Sequence, residues 1–158
     1  MTPPLPPSLY AETAEPGLAF PPLREELRVP VAIIGGGFTG LSTALHLAEQ
    51  GVAAALIEAA EPGWGASGRN GGQVNPGLKP DPDQVVADHG EDLGGRMLAL
   101  SYGAPDALFV LVRRHLIRCE ARQQGTLRAA IRPQNAAAAA ATAAQCARRG
   151  MPVEYRDA

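Results

Sequence analysis

Three glycines and one carboxylate carry the first chemical signal in this chain. Gly35, Gly37 and Gly40 stand in a G-x-G-x-x-G spacing directly after an apolar run, and Glu58 follows 18 positions after the last of them. Each residue type answers a physical need. Gly35 allows a tight turn off a strand. Gly37, having no side chain, lets a pyrophosphate approach the backbone. Gly40 lets the next helix pack closely on that strand. The N–H groups of Phe38 and Thr39 would then face the phosphates from the positive end of a helix dipole. Glu58 is placed to accept hydrogen bonds from ribose hydroxyls, and its charge would repel a 2′-phosphate, which disfavours NADP. A glycine turn that merely links a strand to a helix is the bland alternative. The preceding strand, the following helix and the distant acid together favour a dinucleotide site.

The segment after Glu58 bears on which dinucleotide. In EAAEPGWGASGRNGGQVNPG, Gly63, Gly65, Gly68, Gly71 and Gly72 keep the backbone bare over ten positions. Between them sit a hydroxyl (Ser67), a guanidinium (Arg69) and a side-chain amide (Asn70). A domain binding NAD would pass quickly into another helix and strand. A bare backbone path with interspersed donors instead suits a long ligand, with N–H groups aimed at phosphate, ribitol or a flavin ring. A plain surface loop is the competing account. Trp64, the only tryptophan, either borders the ligand or packs under the loop.

At these residues the chain resembles a known family. GGGFTGLSTALHLAEQG followed by GWGASGRNGGQV is similar to the FAD-dependent oxidoreductases of the D-amino-acid oxidase and glycine oxidase superfamily, nearest the gamma-glutamylputrescine oxidoreductase branch of amine oxidases. SLYAETA at 8–14 and DPDQVVADHGEDLGGRMLALS resemble that branch as well. The resemblance implies FAD as cofactor, with Phe38 and Thr39 at the pyrophosphate and Glu58 and Ala59 at the adenosine ribose. It also implies Gly65, Ala66 and Ser67 beside the phosphates, and Asn70, Gly71 and Gly72 near the ribitol and isoalloxazine. Arg69 either reaches a phosphate or braces the loop. The resemblance further implies a small amine or amino-acid substrate. Its C–H next to nitrogen would give a hydride to the flavin, and the resulting imine would be hydrolysed by water. In such enzymes the substrate sheet and a C-terminal flavin-contacting segment come later in the chain, so no catalytic residue is named here.

These residues need elements to hold them. Val29 to Ile34 reads as a strand buried on both faces. Leu41, Ala44, Leu45 and Ala48 share one face of a helix that Gly51 ends, and Val52 to Ile57 is a second strand. The fold class is α/β: a Rossmann-like βαβ unit with an incomplete parallel sheet, then a mainly helical segment and the start of a substrate domain. Residues 83–116 read as helices, with Leu93, Met97 and Leu100 on one stripe and Leu108, Leu111, Val112 and Leu116 on another. Pro105 would sit in the first turn of the second of them. TLRAAI at 126–131 and Val153 to Tyr155 alternate weakly, as strands do. The alanine run 136–141 is strongly helix-forming, and Gly150 stops it. The expected organisation is a Pro-rich extended arm at 1–28, an FAD-binding unit with its flavin loop at 29–80, and a helical segment leading into a truncated substrate domain at 81–158. With two strands and no third, the chain reads as the N-terminal piece of a larger enzyme. A small non-catalytic nucleotide-binding module and an NAD-dependent dehydrogenase domain are the alternatives.

Composition narrows the class. Fourteen basic and 16 acidic residues give a net charge of -2 over 158 residues, and that balance lacks the basic face a nucleic-acid partner needs. Hydrophobic residues at 46% are enough for a core. Cys119 and Cys146 show no CxxC or disulfide pattern, and no His, Cys or carboxylate spacing suggests a metal. MTPPLPPSLY lacks the basic and apolar regions of a secretory signal, and no apolar run reaches a membrane span. The expectation is a cytoplasmic protein.

Overall fold

The structure is a computed structural model, and residues 5–14 and 20–157 of it are described below. The elements are α1 (Leu9–Thr13), β1 (Val31–Ile34), α2 (Phe38–Glu49), β2 (Ala54–Ile57), a 3-10 turn (Ala66–Gly68), α3 (Pro82–Arg114) and α4 (Pro133–Arg148). The chain divides into two compact units, Met1–Gln73 and Val74–Ala158.

In the first unit β1 and β2 pair in parallel, with Val31 opposite Ala54 and Ile34 opposite Ile57. The Gly35 N–H adds a rung to the Ile57 carbonyl at 2.8 Å. α2 packs on both strands. It closes as a Schellman motif, in which Gly51 adopts φ +70 and Val52 N–H reaches back to the Leu47 carbonyl. The expectation of a strand buried on both faces is corrected here: Ile33 is buried under α2, whereas Ile34 is 91% exposed. A sheet covered on one face must alternate in this way. The arm is also not wholly extended. Ser8 Oγ accepts the Ala11 N–H at 3.1 Å and caps the short α1. The part of the arm at 1–4 and 15–19 lies outside the described residues.

The second unit is built by α3 and α4. Gly90, at φ +77 and ψ +165, breaks α3 into segments 82–89 and 91–114. Gly94 then packs against the backbone of Val85 and Val86, so closely that a Cβ there would stand 2.9 Å from Val86 Cα. Val85 and Leu98 are buried from α3, and Ala143 and Cys146 from α4. Tyr102 Oη and Cys146 Sγ share a hydrogen bond at 3.1 Å. Burial, then that bond, push the Tyr102 phenol up to about 12. Asp83, in the first turn of α3, pairs with Arg148 at 2.9 Å and Arg149 at 2.6 Å. Opposite charges thereby meet opposite helix dipole ends.

Several expectations for this unit are corrected. The break is at Gly90, and Pro105 lies inside the continuing helix. A proline leaves the carbonyl four residues earlier without its helical donor. That carbonyl, on Ser101, accepts the Gly77 N–H at 3.2 Å instead. The stripe of Leu93, Met97 and Leu100 is not the buried one: Leu100 is 77% exposed and Leu98 is buried. Leu116 lies beyond the helix, in a left-handed conformation at φ +51. Residues 126–131 and 153–155 form no strand, because a strand needs a hydrogen-bonded neighbour and the one sheet among the described residues is β1–β2.

Candidate functional site

The glycine turn after β1 takes the conformation its spacing demands. Gly35 adopts φ +99, a left-handed conformation that favours glycine. A Cβ on Gly40 would run into the Gly35 carbonyl, so only glycine lets α2 start this close to β1. Gly37 is the N-cap of α2. In the first turn of any helix the N–H groups have no intrahelical acceptor, which leaves Thr39 and Gly40 as donors.

Glu58 stands at the end of β2, half-buried and facing this turn. Its Oε2 accepts the Gly36 N–H at 2.6 Å and its Oε1 accepts the Ala60 N–H at 3.0 Å. The Gly36 amide first, then those of Ala60 and Ala59, hold the carboxyl below its ordinary range against a smaller opposing effect of burial. Two carboxylate oxygens offer about four acceptor sites, so capacity for a sugar hydroxyl remains. The task the structure shows for Glu58 is fixing the turn.

The loop after β2 contains a second turn of the same construction. GWGASG at 63–68 repeats the G-x-G-x-x-G spacing of GGGFTG at 35–40. Gly63 adopts φ +82, Gly65 caps the 3-10 turn with extended backbone as Gly37 caps α2, and a Cβ on Gly68 would run into the Gly63 carbonyl. Two bonds join the turns. Gly63 N–H donates to the Gly36 carbonyl at 2.9 Å, and Phe38 N–H donates to Ser67 Oγ at 3.0 Å. The expectation that the Phe38 N–H points freely at phosphates is therefore corrected: it holds Ser67. The hydroxyl, accepting there, keeps its own proton to donate elsewhere.

Beyond the second turn, Asn70 Nδ2 donates to the Ser67 carbonyl at 2.6 Å, and its Oδ1 accepts the Gly72 N–H at 2.7 Å. Gly72 is left-handed at φ +69. Arg69 lies over the Trp64 ring, 5.3 Å from its centroid, and its Nε donates to the Gly65 carbonyl at 3.2 Å.

Gly36, Phe38, Glu58, Gly63 and Ser67 are thus linked by direct hydrogen bonds, and Gly65 caps the 3-10 turn that carries Ser67. Ala59 flanks Glu58, Ala66 lies in the 3-10 turn, and Gly71 and Gly72 continue outward through Asn70. Sequence reasoning passed over Gly36, and named Gly63 and Gly68 only as bare loop backbone rather than as parts of a second turn. The repeated spacing was the available signal for the last two. A Cβ on Gly36 would stand 3.1 Å from Pro62 Cα and 3.2 Å from Glu58 Oε2, so Gly36 is what lets the two halves meet. Among the described residues no cluster of three potential metal ligands exists, and no helix is long and apolar enough to cross a membrane.

The arrangement offers a glycine turn at a helix N-terminus, a carboxylate at the neighbouring strand end and a hydroxyl beside the turn. That donor and acceptor set fits the pyrophosphate and ribose of a dinucleotide. Comparison with known proteins agrees. Residues 30–158 match the family described as FAD dependent oxidoreductase. Gamma-glutamylputrescine oxidoreductase of Escherichia coli (strain K12) is 36% identical over 118 residues, which is 75% of this chain and 28% of that protein. A probable oxidoreductase, OrdL, of Haemophilus influenzae is 35% identical over 113 residues, 72% of this chain and 26% of that protein. The chain therefore spans little more than a quarter of the length of these relatives. No solved structure gives a significant match.

Proposed function

The chain belongs to the FAD-dependent oxidoreductase family, whose cofactor is FAD, and on that premise we propose that it is the FAD-binding part of a cytoplasmic enzyme that oxidises the C–N bond of a small amine or amino acid. The observation that carries the reading is the junction of the two glycine turns, Phe38 N–H to Ser67 Oγ and Glu58 to Gly36 N–H. It draws the loop after β2 against the dinucleotide fingerprint, which supports a single cofactor site built from both. In this reading Thr39, Gly40 and Ser67 hold the pyrophosphate, with Gly37 leaving space for it, and Glu58 and Ala59 hold the adenosine ribose. Gly65 and Ala66 run beside the phosphates, and Asn70, Gly71 and Gly72 approach the ribitol and ring. Residues 81–158 lead toward the substrate domain. Bound FAD supplies the acceptor for a hydride from the carbon next to nitrogen. The part played by this chain's own residues is to bind and orient, and Glu58 also rejects a 2′-phosphate by charge.

The name of the Escherichia coli relative supports an amine substrate. Titration of the chain with FAD, NAD and NADP, followed by flavin fluorescence and by calorimetry, tests the cofactor assignment. FAD binding with no measurable NADP binding is expected. Tight NAD binding without FAD binding would overturn the reading. Assay of a longer product of the same gene against a panel of amines and amino acids tests the substrate class.

A further inference from the structure

Arg69 is exposed, cationic and two residues from Ser67, a setting in which a phosphate ligand would be the obvious assignment. Its geometry points elsewhere. The guanidinium folds back over the turn that precedes it, stacked on Trp64 at 5.3 Å, with Nε bonded to the Gly65 carbonyl at 3.2 Å. The Gly65 carbonyl also accepts the Gly68 N–H at 3.3 Å, and the Arg69 N–H closes the same turn onto the Ala66 carbonyl at 3.1 Å. Two donors on one carbonyl fix the 65–66 peptide plane, because that unit is rigid and planar. The Ala66 carbonyl, which the Arg69 N–H holds, belongs to the next peptide unit, and that unit ends at Ser67, whose hydroxyl meets the Phe38 N–H.

We infer that Arg69 is a positioning residue: it clamps the second glycine turn between Trp64 and Gly65 and so holds Ser67 at the proposed pyrophosphate site, without itself ligating phosphate. The inference rests on the FAD reading above. A planar guanidinium stacks on an aromatic face and directs fixed N–H groups. A lysine ammonium keeps the charge but loses both the plane and the fork. Charge and brace are therefore separable by one substitution.

The experiment uses the full-length enzyme that contains this chain, as wild type and as Arg69→Lys, Arg69→Ala, Trp64→Ala and the Trp64→Ala/Arg69→Ala double variant. Affinities for FAD, ADP and adenosine are measured, and Trp64 emission is recorded where the tryptophan is present. The brace predicts that Arg69→Lys weakens FAD and ADP about as much as Arg69→Ala, by roughly tenfold, the scale of a cation–π contact and a hydrogen bond lost together. Trp64 emission should shift alike in both variants. The double variant should bind no more weakly than the worse single one, since both remove the same clamp. Adenosine affinity should be unchanged, because it has no pyrophosphate, whereas a general loss of fold would lower it too. Wild-type affinity in Arg69→Lys with loss only in Arg69→Ala would overturn the inference in favour of a charge on phosphate. So would additive losses in the double variant, unchanged FAD affinity in Arg69→Ala, or an equal fall in adenosine affinity. Failure of the wild-type enzyme to bind FAD would instead overturn the reading beneath it.

Discussion

At the scale of single residues, Glu58 has one observed duty and one proposed duty. Its carboxylate accepts from the Gly36 and Ala60 amides, and in the proposed complex it also accepts from the ribose. Glu58→Ala should weaken FAD by roughly ten- to a hundred-fold, the scale of charge-assisted hydrogen bonds left unmade, as read by flavin fluorescence. Unchanged affinity would remove Glu58 from the ribose site. The amides favour the charged form. The stability Glu58 contributes is therefore complete above the ordinary carboxylate range and is lost as pH falls through its lowered value. Thermal unfolding of wild type and Glu58→Gln at successive pH values should show a difference that shrinks below roughly pH 4. Gly37→Val should abolish FAD binding. A Cβ there would already stand 2.9 Å from Ser67 Oγ, so the larger group displaces the hydroxyl and fills the proposed pyrophosphate site together. A yellow, fully loaded Gly37→Val protein would contradict the placement of the pyrophosphate. The glycine turn after β1 was legible in the sequence because a tight strand-to-helix junction dictates where glycine must stand. The Ser67 to Phe38 bond was not, because it joins residues 29 positions apart through a loop path that no local pattern encodes.

At the scale of elements, the three long helices end alike and differ in one residue. After α2 and α4 the left-handed position is held by Gly51 and Gly150, and after α3 by Leu116. In each case the next residue's N–H closes onto the helix: Val52 to Leu47, Met151 to Cys146, Ile117 to Val112. A non-glycine residue in that conformation costs about 1–2 kcal/mol, and Leu116 is 83% exposed, so burial offsets little of it. Leu116→Gly should therefore stabilise the chain by about 1 kcal/mol in urea unfolding; destabilisation would show that the Leu116 side chain makes a contact worth more than the strain. The same contrast sets what the sequence could reveal. Gly51 and Gly150 announce helix ends by type, whereas Leu116 looked like one more apolar residue on a stripe. Pro105 drew the helix boundary to itself, yet its orphaned Ser101 carbonyl finds the Gly77 N–H. The real break, Gly90, sits in a stretch whose periodicity continues on both sides.

At the scale of the whole molecule, large apolar side chains stand exposed in both units: Phe38 at 65% and Ile34 at 91% in the first, Leu127 and Ile131 at 92% in the second. Net stability of even a full domain is only about 5–15 kcal/mol. The 158-residue chain should therefore unfold at low temperature with weak cooperativity, bind a dye for apolar surface, and turn over no amine. A sharp, high-temperature transition without dye binding would contradict this. The parallel pair and its glycine turn were legible because local pattern specifies them. The face left open by Ile34 was not, since alternation in exposure depends on which layers cover a strand. The two cysteines add an internal clock to this picture. Cys119 is exposed, while Cys146 is buried against Tyr102 in the α3–α4 unit. A thiol reagent should consume one sulfur at once and wait on the other until α4 lifts away. The delay then times the opening of the helical half separately from anything the nucleotide half is doing.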